Sequence, residues 1–185
     1  MDHGAWYFLI FVDDKSMFTW AYFIRRKNNV FKYFKEFIIK VEKKTSKYIK
    51  ILRSDQGGEY TSGAFRRYCT ENGIQQQFTV IDTLKKNGVA ERRNKTLVEC
   101  ARSMLQGKKI SNGFWVEAIN TIVYLKNRSP PKKLELQTPF EVFYGSETSH
   151  LIIFGSRDFA HIPKDDRRKL DAKSIECIFV GYCDD

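Results

Sequence analysis

Two acids, Asp55 and Glu91, carry the clearest chemical signal in the chain, with 35 residues between them. Asp55 follows Tyr48-Ile49-Lys50-Ile51-Leu52-Arg53, where Tyr48, Ile49, Ile51 and Leu52 are set against Lys50 and Arg53. That alternation predicts a strand. It puts Asp55 at the carboxyl end of the strand, where α/β sheets build their sites. The paired glycines Gly57 and Gly58 predict a sharp turn that a Cβ would hinder. Glu91 opens a long helical pattern. Helical spacing puts Glu91, Lys95, Val98 and Arg102 on one face, with Ala90, Leu97, Ala101 and Met104 on the other. A strand-end Asp and a helix-start Glu that converge on one pocket would bind hard divalent cations.

These acids need elements to hold them. Trp6–Val12 (WYFLIFV) is an apolar run of strand length, and Thr19–Ile24 (TWAYFI) is a second. With the polar break Asp13-Asp14-Lys15-Ser16 between them, they predict an antiparallel hairpin. Asp13 and Asp14 serve that turn better than they would serve a metal. Residues 28–44 predict a helix capped by Asn28 or Asn29, with Val30, Phe31, Phe34, Phe37, Ile38 and Val41 as its apolar stripe. Its lysines fall mostly off the stripe, as on a solvated face. After Asp55, residues 62–71 predict a short helix with Ser62 as N-cap, Ala64, Phe65, Tyr68 and Cys69 inward, and Asn72-Gly73 as its stop. Residues 74–80 predict a strand and 81–88 a loop before the Glu91 helix, which runs to about Gln106. Residues 115–127 predict a packed helix, ended by Pro130 and Pro131. Pro139 opens a short helix. From Leu151 onward, LIIFG, FAHIP and CIFVGY are short strand patterns separated by basic loops.

Composition narrows the function. The chain has 185 residues, a net charge of +10 and a pI near 9.4. A basic balance of this size favours a polyanionic partner, most simply nucleic acid. Cys69, Cys100, Cys177 and Cys183 form no C-x-x-C pair, and with His3, His150 and His161 they show no zinc spacing. Free thiols fit a reducing compartment. No signal-peptide pattern and no run of 18 apolar residues is present, so no membrane partner is expected.

The blocks LRSDQGGEY, FRRYCTENGI and NGVAERRN resemble the integrases of copia-type retrotransposons, within the retroviral integrase superfamily. WYFLIFVDDKSMFTWAYFI, FWVEAINTIVYLKNRSP and TPFEVFYG extend the resemblance over nearly the whole chain. It implies an α/β, RNase H-like integrase core, a mixed sheet flanked by helices, followed by a truncated SH3-like β segment. The implied division is a catalytic core over residues 1–110, a helical extension over 111–148 and a partial SH3-like segment over 149–185. The implied activity is DNA integration by polynucleotidyl transfer with Mg²⁺ or Mn²⁺, in a homo-oligomer acting on DNA in the nucleus.

By this resemblance Asp55 and Glu91 are the second and third acids of the catalytic triad and its metal ligands. Lys85, Lys86, Arg92, Asn94 and Lys95 are the expected DNA contacts. For Lys95 the alternative is a helix pair with Glu91, worth only ~0.2–0.5 kcal/mol. The first acid belongs on a strand upstream of Trp6. Only MDHGA precedes Trp6 here, so the expectation is a core without that strand and that Asp. A non-catalytic nucleic-acid-binding or interaction module derived from a transposable element is the alternative.

Overall fold

The computed structural model describes residues 4–78, 84–145 and 151–182, and for 84–91 the backbone alone. Its residues form two compact units, one from the N-terminal residues to Ile10 plus Tyr22–Thr96, the other Phe11–Ala21 plus Leu97–Asp185. The hairpin of β1 (Tyr7–Val12) and β2 (Thr19–Ile24) contributes to both. Its antiparallel sense is set by Trp6 N–H donating to the Ile24 carbonyl at 3.0 Å and Asp13 N–H to that of Phe18 at 2.9 Å.

The turn uses Asp13 as its sequence suggests. One Asp13 carboxylate oxygen accepts from both the Ser16 N–H and the Ser16 hydroxyl, each at 2.7 Å. The Ser16 hydroxyl in turn accepts from the Phe18 N–H. Those bonds hold Met17 at φ 62°, a conformation that L-residues adopt only where the surroundings enforce it.

In the first unit α1 (Val30–Thr45) buries Val30, Phe34, Phe37 and Ile38. The expected Asn cap is not made. A 3-10 turn over Lys27–Asn29 runs straight into α1 and leaves Asn29 with helical backbone angles. An N-cap side chain reaches the first-turn N–H groups only from non-helical backbone. At the other end Ser46 sits in the left-handed region and its N–H donates to the Glu42 carbonyl.

Strand β3 (Ile51–Ser54) pairs in parallel with β4 (Gln75–Phe78), Ile51 opposite Gln75 and Ser54 opposite Phe78. The strand is shorter than the alternation suggested, and its faces are reassigned. Ile51 shares the exposed side with Arg53, and Leu52 and Ser54 turn inward. Tyr48 is exposed. The Glu42 carboxylate explains the late start: it takes the Ile49 N–H at 2.9 Å before a ladder can form. Between β3 and β4 lie α2 (Gly58–Thr61), which the sequence did not announce, and α3 (Gly63–Glu71). The Ser62 hydroxyl caps α3 by accepting from Phe65 N–H. Phe65 and Cys69 are buried, whereas Ala64, expected inward, is exposed in the first turn. Gly73, at φ 67°, ends the helix. Phe34 stacks on Phe65 with ring centroids 4.7 Å apart, and Phe31 and Tyr60 add tilted and edge contacts to Phe65.

Helix α4 (Leu84–Gly107) starts earlier than expected and takes in residues 84–88, read from sequence as loop. Leu84, Lys85 and Lys86 are good helix formers. Along α4, Leu97 and Ala101 are buried and Met104 is half-buried, while Lys95, Val98 and Arg102 are exposed, as the spacing predicts; Leu105, which was not assigned to either face, is buried as well. Helix α5 (Trp115–Asn127) has the bounds read from sequence and buries Ala118, Ile119, Ile122 and Val123. Helix α6 (Pro139–Tyr144) begins at Pro139 with a complete capping box between Thr138 and Glu141. Loss of the Thr138 hydroxyl in Thr138→Ala is expected to cost about 1 kcal/mol, read as a lower urea midpoint.

The segment Leu151-Ile152-Ile153 forms no strand, contrary to its pattern. The Tyr182 hydroxyl takes its backbone instead, accepting from Ile152 N–H at 2.5 Å and donating to Ile152 C=O at 2.7 Å. Tyr182 itself lies flat on Tyr124 of α5, 3.8 Å between centroids and 7° between planes. Beyond it β5 (Arg157–His161) and β6 (Ser174–Ile178) pair antiparallel, both earlier than their patterns: β5 takes in Phe159–His161 of FAHIP, and β6 only Cys177 and Ile178 of CIFVGY. Both pairing senses of a mixed sheet are thus present, as three two-stranded ladders. No helix among the described residues is long and apolar enough to cross a membrane.

Candidate metal and nucleic-acid site

Asp55 directly follows β3 and is exposed. Its Oδ1 accepts from Gly57 N–H at 3.1 Å, which fixes the carboxylate over the turn. The two glycines have a different role from the one their sequence suggests. Gly57 has φ −55° and ψ 143°, angles open to any residue, and Gly58 starts α2. What Gly57 provides is space. A Cβ there would stand 2.9 Å from the Glu59 carboxyl carbon and Oε2, and 3.0 Å from Asp55 Oδ1.

Two carboxylates therefore flank one small gap. Their field reaches Tyr60, whose phenol is pushed well above its ordinary range, first by burial and then by the negative charges of Asp55 and Glu59. Tyr60 in turn is held on one side by its ring contact with Phe65. On the other, its carbonyl accepts from the Gln76 side chain at 3.0 Å. The Asp55 turn is thus fastened to both the aromatic core and β4. Glu59 is the site residue that reading for period and motif passed over. The available signal was an acid four residues after Asp55 across a Gly-Gly pair.

Glu91 lies on α4 as its eighth residue and not at its start, where the sequence had put it; its side chain and those of Lys85 and Lys86 lie outside the described residues. Arg92, Asn94 and Lys95 are exposed on the next turn, and Arg93 is half-buried. Among the described residues no three His, Cys, Asp or Glu side chains are grouped so as to hold a metal ion. Asp13 and Asp14 remain in their turn. Asp13 is tied to Ser16, and the Asp14 carbonyl accepts from Lys133 Nζ at 2.7 Å.

A strand-end acid, a parallel β3–β4 pair and a long helix that carries a second acid in its third turn are the features to compare with known proteins. The integrase core domain family matches residues 2–82, and the retroviral polymerase SH3-like domain family matches residues 156–185. Among solved structures, a chain of the simian T-cell lymphotropic virus intasome aligns with a TM-score of 0.60 at 13% identity, covering 92% of this chain and 60% of that one. The HTLV-2 integrase catalytic core domain, solved in complex with magnesium, aligns with a TM-score of 0.54 at 16% identity, covering 72% of this chain and 82% of that one. At such identities the likeness concerns the fold alone. Residues 2–82 thus match the integrase core domain family, and the fold is that of the retroviral integrase cores.

Its relatives are copia-type Pol polyproteins of plant transposons. It is 49% identical over 184 residues to the retrovirus-related Pol polyprotein from transposon TNT 1-94 of Nicotiana tabacum, covering 98% of this chain and 14% of that protein. To the Pol polyprotein from transposon RE2 of Arabidopsis thaliana it is 33% identical over 178 residues, covering 95% of this chain and 12% of that protein. The chain thus spans only about one seventh of the curated relatives that it matches.

Proposed function

We propose that this chain is the DNA-handling core of a retrotransposon integrase, with a site suited to divalent-metal-dependent polynucleotidyl transfer. The observation that carries the reading is Asp55. It is an exposed carboxylate at the carboxyl end of a parallel strand, in the same compact unit as the start of the Glu91 helix. Its oxygens suit Mg²⁺ or Mn²⁺, which prefer hard ligands. Asp55 and Glu91 would hold the metal. When bound, it would activate the attacking oxygen and offset charge on the leaving one.

The chain's other residues bind and orient. Arg92, Asn94 and Lys95 on α4, with Lys85 and Lys86 ahead of them, are assigned to DNA phosphates. Such contacts release counterions, so they bind without reading sequence and weaken steeply with salt. The net charge of +10 supports the same partner. The HTLV-2 core in its trimeric form supports a homo-oligomeric working state. A DNA partner favours action in the nucleus. The division into a core over 1–110, a helical extension over 111–148 and an SH3-like segment over 149–185 is retained as part of this reading.

The test is Mn²⁺- or Mg²⁺-dependent nicking of a labelled duplex by protein whose circular dichroism shows it folded. Asp55→Asn and Glu91→Gln are each expected to lower nicking by about tenfold or more, since even outer-shell partners of a metal are worth that much. Duplex binding should fall steeply between about 50 and 200 mM salt. Nicking unchanged in both variants, or absent from the folded parent chain, would overturn the catalytic assignment. Binding indifferent to salt would overturn the DNA assignment.

A further inference from the structure

We infer that Glu59 is a positioning residue for the same cation as Asp55, and that position 57 is glycine to leave room for the pair. The inference rests on the metal-site reading above and deepens it. Glu59 Oε2 and Asp55 Oδ1 approach one point, the place of an absent Cβ on Gly57, at 2.9 and 3.0 Å. The two oxygens can be no farther apart than the sum of those distances. Among the described residues neither carboxylate is ion-paired with a lysine or arginine. Two like charges held this close repel each other. A cation between them would reverse that repulsion.

Chemistry then selects the kind of cation. Mg²⁺ binds proteins through one or two carboxylates and keeps several of its waters. A second carboxylate just beyond ligand reach is well placed to accept hydrogen bonds from such waters, and groups that orient a ligand shell in this way matter for affinity. Asp55 Oδ1 is already tied to Gly57 N–H, so its orientation is set by the same turn that brings Glu59 near. Among the described residues the charged groups that face the gap are both negative, which suits a cation and not an anion.

The experiment is Mn²⁺ binding to the whole DNA-free chain, read by electron paramagnetic resonance of the unbound ion. Glu59→Gln is expected to weaken binding about tenfold, the lower end of what outer-shell partners contribute. Gly57→Ala should act in the same direction with Glu59 intact, because its backbone angles accept alanine and only the carboxylates must move. Asp55→Asn should weaken binding further. Melting without metal provides a second readout: Glu59→Gln should melt at or above the parent temperature, since a repulsion is removed. Parent-like binding in Glu59→Gln with binding lost in Asp55→Asn overturns this inference and leaves the metal-site reading standing. Parent-like binding in Asp55→Asn overturns that reading, and the inference with it. A lower metal-free melting temperature in Glu59→Gln marks Glu59 as structural and also overturns the inference.

Discussion

Phe34→Ala is expected to destabilise the first unit by about 3–5 kcal/mol, the usual range for truncating a fully buried aromatic ring. Phe34 has no exposed surface, and it stacks on Phe65, which has none either. Removing it leaves a void that α1 and α3 must collapse around, and it takes away the flat partner of the ring that also contacts Phe31 and Tyr60. Urea unfolding followed by circular dichroism should show a midpoint lowered by about 1 M or more, at a slope of ~1–3 kcal/mol per M. Ile39→Ala, on the same helix but 63% exposed, should stay within about 0.5 kcal/mol of the parent. Equal effects from the two substitutions would show that α1 does not pack as described. Because Tyr60 adjoins both Phe65 and the Asp55 turn, Phe34→Ala should also blunt the carboxylate pair before the unit fully unfolds.

Asn127→Leu is expected to cost the second unit about 2–5 kcal/mol. Asn127 closes α5 with its side chain buried, its Oδ1 accepting from Thr19 N–H and its Nδ2 donating to Thr19 C=O, both at 2.8 Å. The side-chain amide copies a strand neighbour for the first residue of β2. An apolar replacement of similar size fills the space but strands two buried backbone groups, each worth about 1–3 kcal/mol when left unpaired. Asn127→Asp tests the assignment. Its carboxylate still accepts from the N–H but meets the Thr19 carbonyl with no donor, so it too should destabilise. A stable Asn127→Leu chain would show that water or another group pairs with Thr19 equally well.

What could be read beforehand depended on how local the cause was. The bounds of α5, the Ser62 cap and the Thr138-Pro139 start are fixed by residues within a few positions of one another, and all three stand as the sequence suggested. Asn29 fails as a cap because it closes the 3-10 turn that begins at Lys27, and Ile49 is kept out of β3 by Glu42, seven residues away. The apolar run at Leu151 is held by Tyr182, 30 residues on, so its pattern misled. In the candidate site, Asp55 was legible because strand ends leave signatures, and the helix of Glu91 was legible by its period although its start was not. Glu59 left none. Its nearness to Asp55 depends on the course of the turn, and an acid pair four apart reads first as a feature of a helix. The Asn127–Thr19 pairing spans 108 residues and has no periodic trace at all.

The Tyr182–Ile152 pairing has a mechanical consequence. It ties together the two ends of the stretch that contains β5 and β6, and the stack on Tyr124 anchors that knot to α5. The hairpin beyond it has nearly every residue exposed, and Leu170 at its far side is 97% exposed. The hairpin is therefore held at its neck rather than along its faces. Sequence can vary freely at the tip while the attachment stays put, as with a flag whose cloth is replaced without touching the halyard.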